Sequence, residues 1–198
     1  MGRAIIFIDP QPDFVRHFAK VDCTQVFDRV TTLMGTDYPD METYHFTTGH
    51  KNDPGQPFFG KGPGKWREHC TAGQALLRLN GWDTWLVNQP LTTSALDSVL
   101  PEKSDYKKRT IWQFMTQQVG LSDVILCGMG LELGVRSTAL DARKRGLKVT
   151  VTTDLCVPYN LEHEHEGLDA VLDMEDAGVQ VVTSSEFLHG RAQQRRQR

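Results

Sequence analysis

Ser122-Asp123-Val124-Ile125-Leu126-Cys127-Gly128-Met129-Gly130-Leu131-Glu132-Leu133-Gly134-Val135-Arg136-Ser137-Thr138-Ala139-Leu140-Asp141 is the stretch on which the reading of this chain turns. Val124 to Cys127 is a short apolar run, the pattern of a strand covered on both faces. Gly128 and Gly130 let the backbone bend and approach a ligand closely, which side chains there would hinder. From Leu133 onward the pattern is helical, with Val135, Ala139 and Leu140 on one face. A helix that begins at the carboxyl end of a parallel strand points its free N–H groups at whatever sits there. Ligands of open α/β sheets bind at that end.

Working outward, strand-like and helix-like segments alternate. Arg3-Ala4-Ile5-Ile6-Phe7-Ile8-Asp9 reads as a buried strand ending in an acid, stopped by Pro10 and Pro12. A carboxylate at the mouth of a parallel sheet is either a functional acid/base or a cap on a neighbouring loop. Residues 24–34 have helical spacing (Val26, Phe27, Val30, Leu33), with Thr24 as N-cap and Gly35 as stop. Tyr44-His45-Phe46-Thr47 is a second strand. A Gly/Pro-rich loop runs from Thr48-Gly49-His50 to Gly64 and ends in Lys65-Trp66-Arg67-Glu68-His69-Cys70. Loops of that length tend to be functional. Its two histidines are either metal ligands or polar loop residues, and Trp66 is either a core or a pocket aromatic.

Residues 73–79 read as a short helix and 82–87 as a strand. Lys107-Lys108-Arg109 is a basic cluster of the kind that ordinarily makes a solvated surface. Residues 147–152 are a β-branched strand running toward Asp154. His163 and His165 look metal-like, but i, i+2 spacing sends them to different faces of a helix. Leu168, Val171, Leu172 and Met174 continue that helix to Gly178, and 179–182 form a last strand. The alternation predicts one Rossmann-like, doubly wound α/β domain over residues 1–188. Its parallel sheet has about six strands with helices on both faces.

Composition limits the classes that remain. A chain of 198 residues, 39% hydrophobic, can bury one good core. No apolar run reaches the roughly 18 residues that a membrane span needs, and the N-terminus lacks the pattern of a signal peptide. Cys23, Cys70, Cys127 and Cys156 are scattered without CxxC spacing, which reads as reduced thiols of a cytoplasmic protein. A net charge of −3 gives no general reason to expect nucleic acid. The one break is at the end. Arg191, Arg195, Arg196 and Arg198 put +4 on the last ten residues, leaving 18 basic against 25 acidic residues, or −7, on the rest. Residues 189–198 are therefore expected to be a disordered basic tail, the one place where phosphates or an acidic partner would be met.

The Ser122–Asp141 stretch and the run Asp9-Pro10-Gln11-Pro12-Asp13-Phe14 resemble the isochorismatase-like hydrolases, the superfamily that includes the nicotinamidases. The resemblance spans roughly residues 3–188. It implies that Asp9 is the acid/base, that Phe14 packs against the ligand ring, and that Trp66 faces Phe14 across a planar ligand. It assigns Lys108, on a strand shortly before a turn at Phe114, as the lysine that stabilises negative charge and tunes the acid. Gly130 and Leu131 line the ligand side of the turn. His50 and His69 match positions that hold a divalent metal (zinc, iron or manganese), with Thr48 in place of the ligating aspartate and Asp53 or Glu68 available as an oxygen donor. Two neutral imidazoles alone hold such an ion weakly.

One departure decides the chemistry. Amidases of this superfamily place a nucleophilic cysteine at the start of the helix, and counting from Cys127-Gly128 that position is Gly134. Cys127 ends the buried strand and is no substitute. A covalent thioester is excluded at Gly134, as in the isochorismatase branch, where the aspartate protonates a vinyl ether and water attacks. The Trp66, His69, Cys70 pattern resembles the nicotinamidase branch instead. Three readings follow. The first is a cysteine-independent hydrolase of a small planar metabolite, with Asp9, Lys108 and Gly134 at its centre. The second is a catalytically inactive relative that binds a nicotinamide-like ligand or a protein partner. The third is an interaction module that works through the arginine tail. By analogy with the superfamily the chain is expected to form a homo-oligomer.

Overall fold

Ile5, Ile6 and Ile8 have no exposed surface. The strand that carries them, β1 (Gly2–Ile8), lies inside a six-stranded sheet. The computed structural model describes residues 2–8, 43–49, 84–88, 94–97, 109–158 and 164–196. Among them, β2 (Thr43–Gly49), β3 (Thr84–Asn88), β4 (Leu121–Met129), β5 (Lys148–Val157) and β6 (Gln180–Val182) complete the sheet. The strand order is β3-β2-β1-β4-β5-β6 and every pairing is parallel. The chain winds outward from β1 to β3 on one side. It then returns to β4 and winds outward on the other. The reversal leaves a crevice between the carboxyl ends of β1 and β4, where a doubly wound sheet binds its ligand. The expected doubly wound parallel α/β fold is therefore observed.

On β4 each residue from Asp123 to Met129 is buried. Its aliphatic side chains, Val124, Ile125 and Leu126, are fully enclosed, each contributing about 1.5–3 kcal/mol of burial. At the amino end of the sheet Arg3 and Asp123 are partners in the β1–β4 register. They form a buried ion pair, with Arg3 Nε 3.0 Å from Asp123 Oδ2. The Arg3 guanidinium also lies 5.4 Å from the centre of the Phe187 ring.

Four helices belong to the described residues: α1 (Ile111–Phe114), α2 (Arg136–Lys144), α3 (Glu164–Asp176) and α4 (Ser184–Arg196). The strand that the resemblance implied for Lys108 falls on residues outside those described; from Ile111 onward the backbone is helical. Thr110 and Gln113 form a reciprocal cap, and Ile111, Phe114 and Met115 bury one side. A wider turn, Met115–Val119, extends α1 until Gly120, at φ 57°, ends it. Lys108 itself lies outside the described residues.

The tail departs from expectation. Residues 189–196 continue α4 as helix, where composition suggested disorder. The start of α4 is held firmly: Thr183 and Glu186 cap one another, and both Asp154 carboxylate oxygens accept from Ser184 at 2.6 Å. These bonds hold the Glu186 carboxyl below its ordinary range, the backbone N–H of Thr183 foremost. Once nucleated, Arg, Gln and Ala propagate helix well. The expected helices at 24–34 and 73–79 lie outside the described residues. No helix among the described residues is long and apolar enough to cross a membrane.

Candidate active site at the switch point

Two glycines shape the crevice between β1 and β4, and they do different work. Gly128 pairs with Ile8 in the parallel register. Its φ is 134°, and a Cβ built there would sit 2.1 Å from the Ile8 carbonyl oxygen. The space that glycine leaves is thus taken by the backbone of the neighbouring strand, not by a ligand as its position suggested. Without a side chain, β4 can press against the last described residue of β1, one peptide before Asp9. Gly130 is the turn itself. It adopts the left-handed conformation, φ 74° and ψ 60°, and its N–H donates to the Val157 carbonyl at the end of β5, 2.8 Å away.

The chain then enters the helix through a widened turn, Leu131–Val135, rather than a regular one. The Gly130 carbonyl accepts from Leu133 N at 3.0 Å and from Val135 N at 3.3 Å, the second an i, i+5 bond. Such π-type turns cost regular hydrogen bonding and recur at functional sites. Leu131, Glu132, Gly134 and Val135 are all buried.

Thr138 ties this turn down. Its fully buried hydroxyl donates to the Gly134 carbonyl at 2.7 Å and accepts from the Ala95 N–H at 2.9 Å. The short turn Ala95–Asp97 is thereby fastened beside Gly134, and Arg145 holds its far end through Asp97 at 2.8 Å. The sequence reading missed both Thr138 and Glu132. The available signal for Thr138 was its i+4 spacing from Gly134, at which a threonine hydroxyl reaches back to a carbonyl.

Two thiols lie near the crevice. Cys127 is fully buried on β4, with its sulfur 4.0 Å from the Ile6 carbonyl oxygen. Burial pushes its pKa well up, and Cys156 and Asp154 add to the effect. Cys156 pairs with Gly128 across a register shift between β4 and β5. Its pKa is pushed up to about 12, chiefly by burial, with the Gly128 backbone N–H acting the other way. Both thiols are protonated at neutral pH, and a protonated buried thiol is not a nucleophile. Cys127 is a structural residue, buried within β4, which runs two residues beyond the end expected from the sequence, to Met129.

Of the site residues expected from sequence, Gly130, Leu131 and Gly134 are thus brought together on one turn at the carboxyl end of β4. Asp9, Phe14, His50, Trp66, His69 and Lys108 lie outside the described residues. So do Asp53 and Glu68, the candidate oxygen donors for a metal. Among the described residues no three His, Cys, Asp or Glu side chains gather to hold an ion. In the chain Asp9 directly follows Ile8, the last residue of β1, and His50 directly follows Gly49, the last residue of β2.

Comparison with known proteins bears on this geometry. The family model described as the isochorismatase domain matches residues 3–186. None of the curated proteins matches. Several solved structures share the fold. PnC1 from L. infantum, solved in complex with nicotinate, superposes with a TM-score of 0.64 at 19% identity, covering 93% of each chain. An isochorismatase-like hydrolase from Alkaliphilus metalliredigens gives 0.63 at 18% identity over 96% of this chain and 97% of that one. The MAR1 ribonuclease from Caenorhabditis elegans gives 0.59 at 18% identity, over 96% of this chain and 80% of that one.

Proposed function

This chain belongs to the isochorismatase family, and on that premise we propose that it is a hydrolase of a small planar metabolite that works without a cysteine nucleophile. The observation that carries the reading is the meeting of β1 and β4 at the switch point. There the Ile8–Gly128 register sets the strand leading into Asp9 beside the buried turn that carries Gly134.

A residue without a side chain at Gly134 leaves room for substrate and water and offers no covalent path. Asp9 then acts as general acid and Lys108 as its electrostatic partner. For a vinyl ether the balance is simple. Asp9 delivers a proton to the terminal alkene carbon, and water adds to the oxocarbenium carbon. Loss of a proton and collapse of the hemiketal then release a ketone and an alcohol. Lys108 keeps the spent carboxylate stabilised until it is reprotonated. Phe14 and Trp66 are assigned to the two faces of the planar substrate, with Gly130 and Leu131 at its edge. His50 and His69 are the residues that would hold a divalent ion, which would polarise a bound water or ligand atom. Thr48 in place of a carboxylate makes that donor set a weak one.

The substitution at Thr48 and the glycine at 134 also support a second reading, a family member that binds a nicotinamide-like ligand or a protein partner without turnover. The NMR-visible conversion of isochorismate, nicotinamide and pyrazinamide by the purified, metal-analysed protein separates the two, with Asp9→Asn run beside it. The proposal expects turnover of isochorismate or a related ether that falls at least a hundredfold in Asp9→Asn. Ligand binding that survives in Asp9→Asn, with no turnover by either protein, selects the second reading. Ammonia release from an amide would overturn the vinyl-ether mechanism and mean either that the nucleophile lies elsewhere than position 134 or that a metal-bound water takes its place. Like the substrate, a cytoplasmic setting and a homo-oligomeric state belong to the proposal.

A further inference from the structure

The Thr138 side chain has no exposed surface, and its hydroxyl is committed both as donor and as acceptor. The proton goes to the Gly134 carbonyl at 2.7 Å, and a lone pair takes the Ala95 N–H at 2.9 Å. One oxygen therefore joins the turn that follows β4 to the short turn in the connection from β3 to α1. Ala95 and Leu96 are fully buried, so bulk water does not reach in to replace the hydroxyl.

Gly134 is where such a fastening is needed. Glycine has no Cβ to narrow its backbone freedom, and it is a poor helix former. Around it the regular bonding is already given up: Leu133 N and Val135 N share the Gly130 carbonyl, the second across an i, i+5 span. A threonine hydroxyl that bonds the carbonyl four residues back favours a bent turn over a straight one. Thr138 does this at Gly134 and, through Ala95, is itself held from outside the helix. Arg145, two helical turns further along α2, steadies the far end of Ala95–Asp97 by its bond to Asp97 at 2.8 Å. Its guanidinium also lies 4.9 Å from the centre of the Trp112 ring on α1.

We propose that Thr138 is a positioning residue of the site: its hydroxyl holds the widened turn Leu131–Val135, and with it the peptide at Gly134, in the geometry that receives substrate. The catalytic consequence rests on the hydrolase reading above, and the structural one on the two hydrogen bonds alone. Thr138 acts through Gly134 rather than on the substrate itself. A displacement of about 1 Å at such a place is enough to cost about a hundredfold in rate.

Two substitutions at this one position separate the hydroxyl from the shape of the side chain. Thr138→Val keeps the branched shape and loses both bonds, whereas Thr138→Ser keeps both bonds and loses a methyl group. Amide hydrogen exchange by NMR on the full chain is the first readout and needs no substrate. In Thr138→Val the Ala95, Leu133 and Val135 amides should exchange about tenfold faster or more, while the core amides of β4 and β5 keep their protection. In Thr138→Ser the same three should stay within about threefold of the unmutated protein. The second readout is isochorismate turnover. Thr138→Val should lower kcat by about ten- to a hundredfold with KM nearly unchanged, and Thr138→Ser should recover most of kcat. A greater loss in Thr138→Ser than in Thr138→Val overturns the proposal, because packing of the methyl group would then be what counts. Equal exchange at Leu133 and Val135 in all three proteins overturns it as well. So does an unchanged kcat in Thr138→Val, which would leave a tether without a part in catalysis. If the unmutated protein turns over neither ether nor amide, the hydrolase reading fails, and the exchange comparison still decides whether the hydroxyl holds the turn.

Discussion

At Cys156 the surroundings decide the chemistry more than the residue type does. The thiol lies at the carboxyl end of β5, beside the proposed site, and its burial lifts the pKa from its ordinary value of 9.0 to about 12. The protonated form is neutral, so the folded protein holds this proton more tightly than the unfolded chain does. Its contribution to stability is fully present below pH 9 and is lost as pH rises toward 12. Above the lower value each such thiol lowers the unfolding free energy by about 1.4 kcal/mol per pH unit. Urea melts of the unmutated protein and of Cys156→Ala should therefore converge as pH rises through this window. A stability difference that stays constant across it would refute the burial argument. Cys127 carries the same sign. That Cys127 is buried on a strand was legible in the sequence, because four apolar residues in a row leave a side chain no outlet; that the strand runs on to Met129 was not. The place of Cys156 beside Gly128 was not. It depends on the extra residues that β5 inserts between its pairings with Leu126 and Gly128, an irregularity of backbone register with no local sequence mark.

Between elements, the decisive contact is the seam of β1 and β4. The strands could be read from runs of aliphatic residues, and their parallel arrangement from the intervening helical segments. The turn after β4 was also readable, since Gly128, Gly130 and Gly134 occur within seven residues. What glycine was for at each place could not be read. At 128 it admits the Ile8 backbone, at 130 it supplies a left-handed turn, and at 134 it leaves a nucleophile's place empty in the proposed mechanism. Gly128→Ala places a carbon 2.1 Å from a backbone oxygen and forces a residue with a side chain to φ 134°. Both terms cost on the order of 1–3 kcal/mol, so a total loss of about 2–6 kcal/mol is expected in urea unfolding. A loss below about 1 kcal/mol would show that β1 can slide away from β4 without penalty. The widened turn at Leu131–Val135 and its Thr138 tether are likewise products of packing rather than propensity. Nothing in Leu-Glu-Leu-Gly-Val by itself requests an i, i+5 bond.

Across the molecule as a whole, the seam between β1 and β4 is secured at both ends. At the carboxyl end it is close backbone approach, and at the amino end it is the buried pair of Arg3 and Asp123, 120 residues apart in the chain. Arg3 is 3% exposed and Asp123 7%, so each charge has given up nearly all of its hydration. The pair also reaches the C-terminal helix, because the Arg3 guanidinium sits over Phe187. A buried pair of this kind adds little net stability over an apolar pair of similar volume, but removing one partner leaves a charge stranded in the core. Asp123→Ala should therefore cost about 3–5 kcal/mol in urea unfolding. Arg3→Met combined with Asp123→Leu should recover most of that loss. Because Phe187 keeps its apolar neighbour in the double variant, α4 should stay protected from proteolysis there and become cleavable in Asp123→Ala. A double variant as unstable as the single one would mean that the charges themselves hold the seam. The arginine would then be required at the start of β1, and not merely a side chain long enough to fill the space between the sheet and α4.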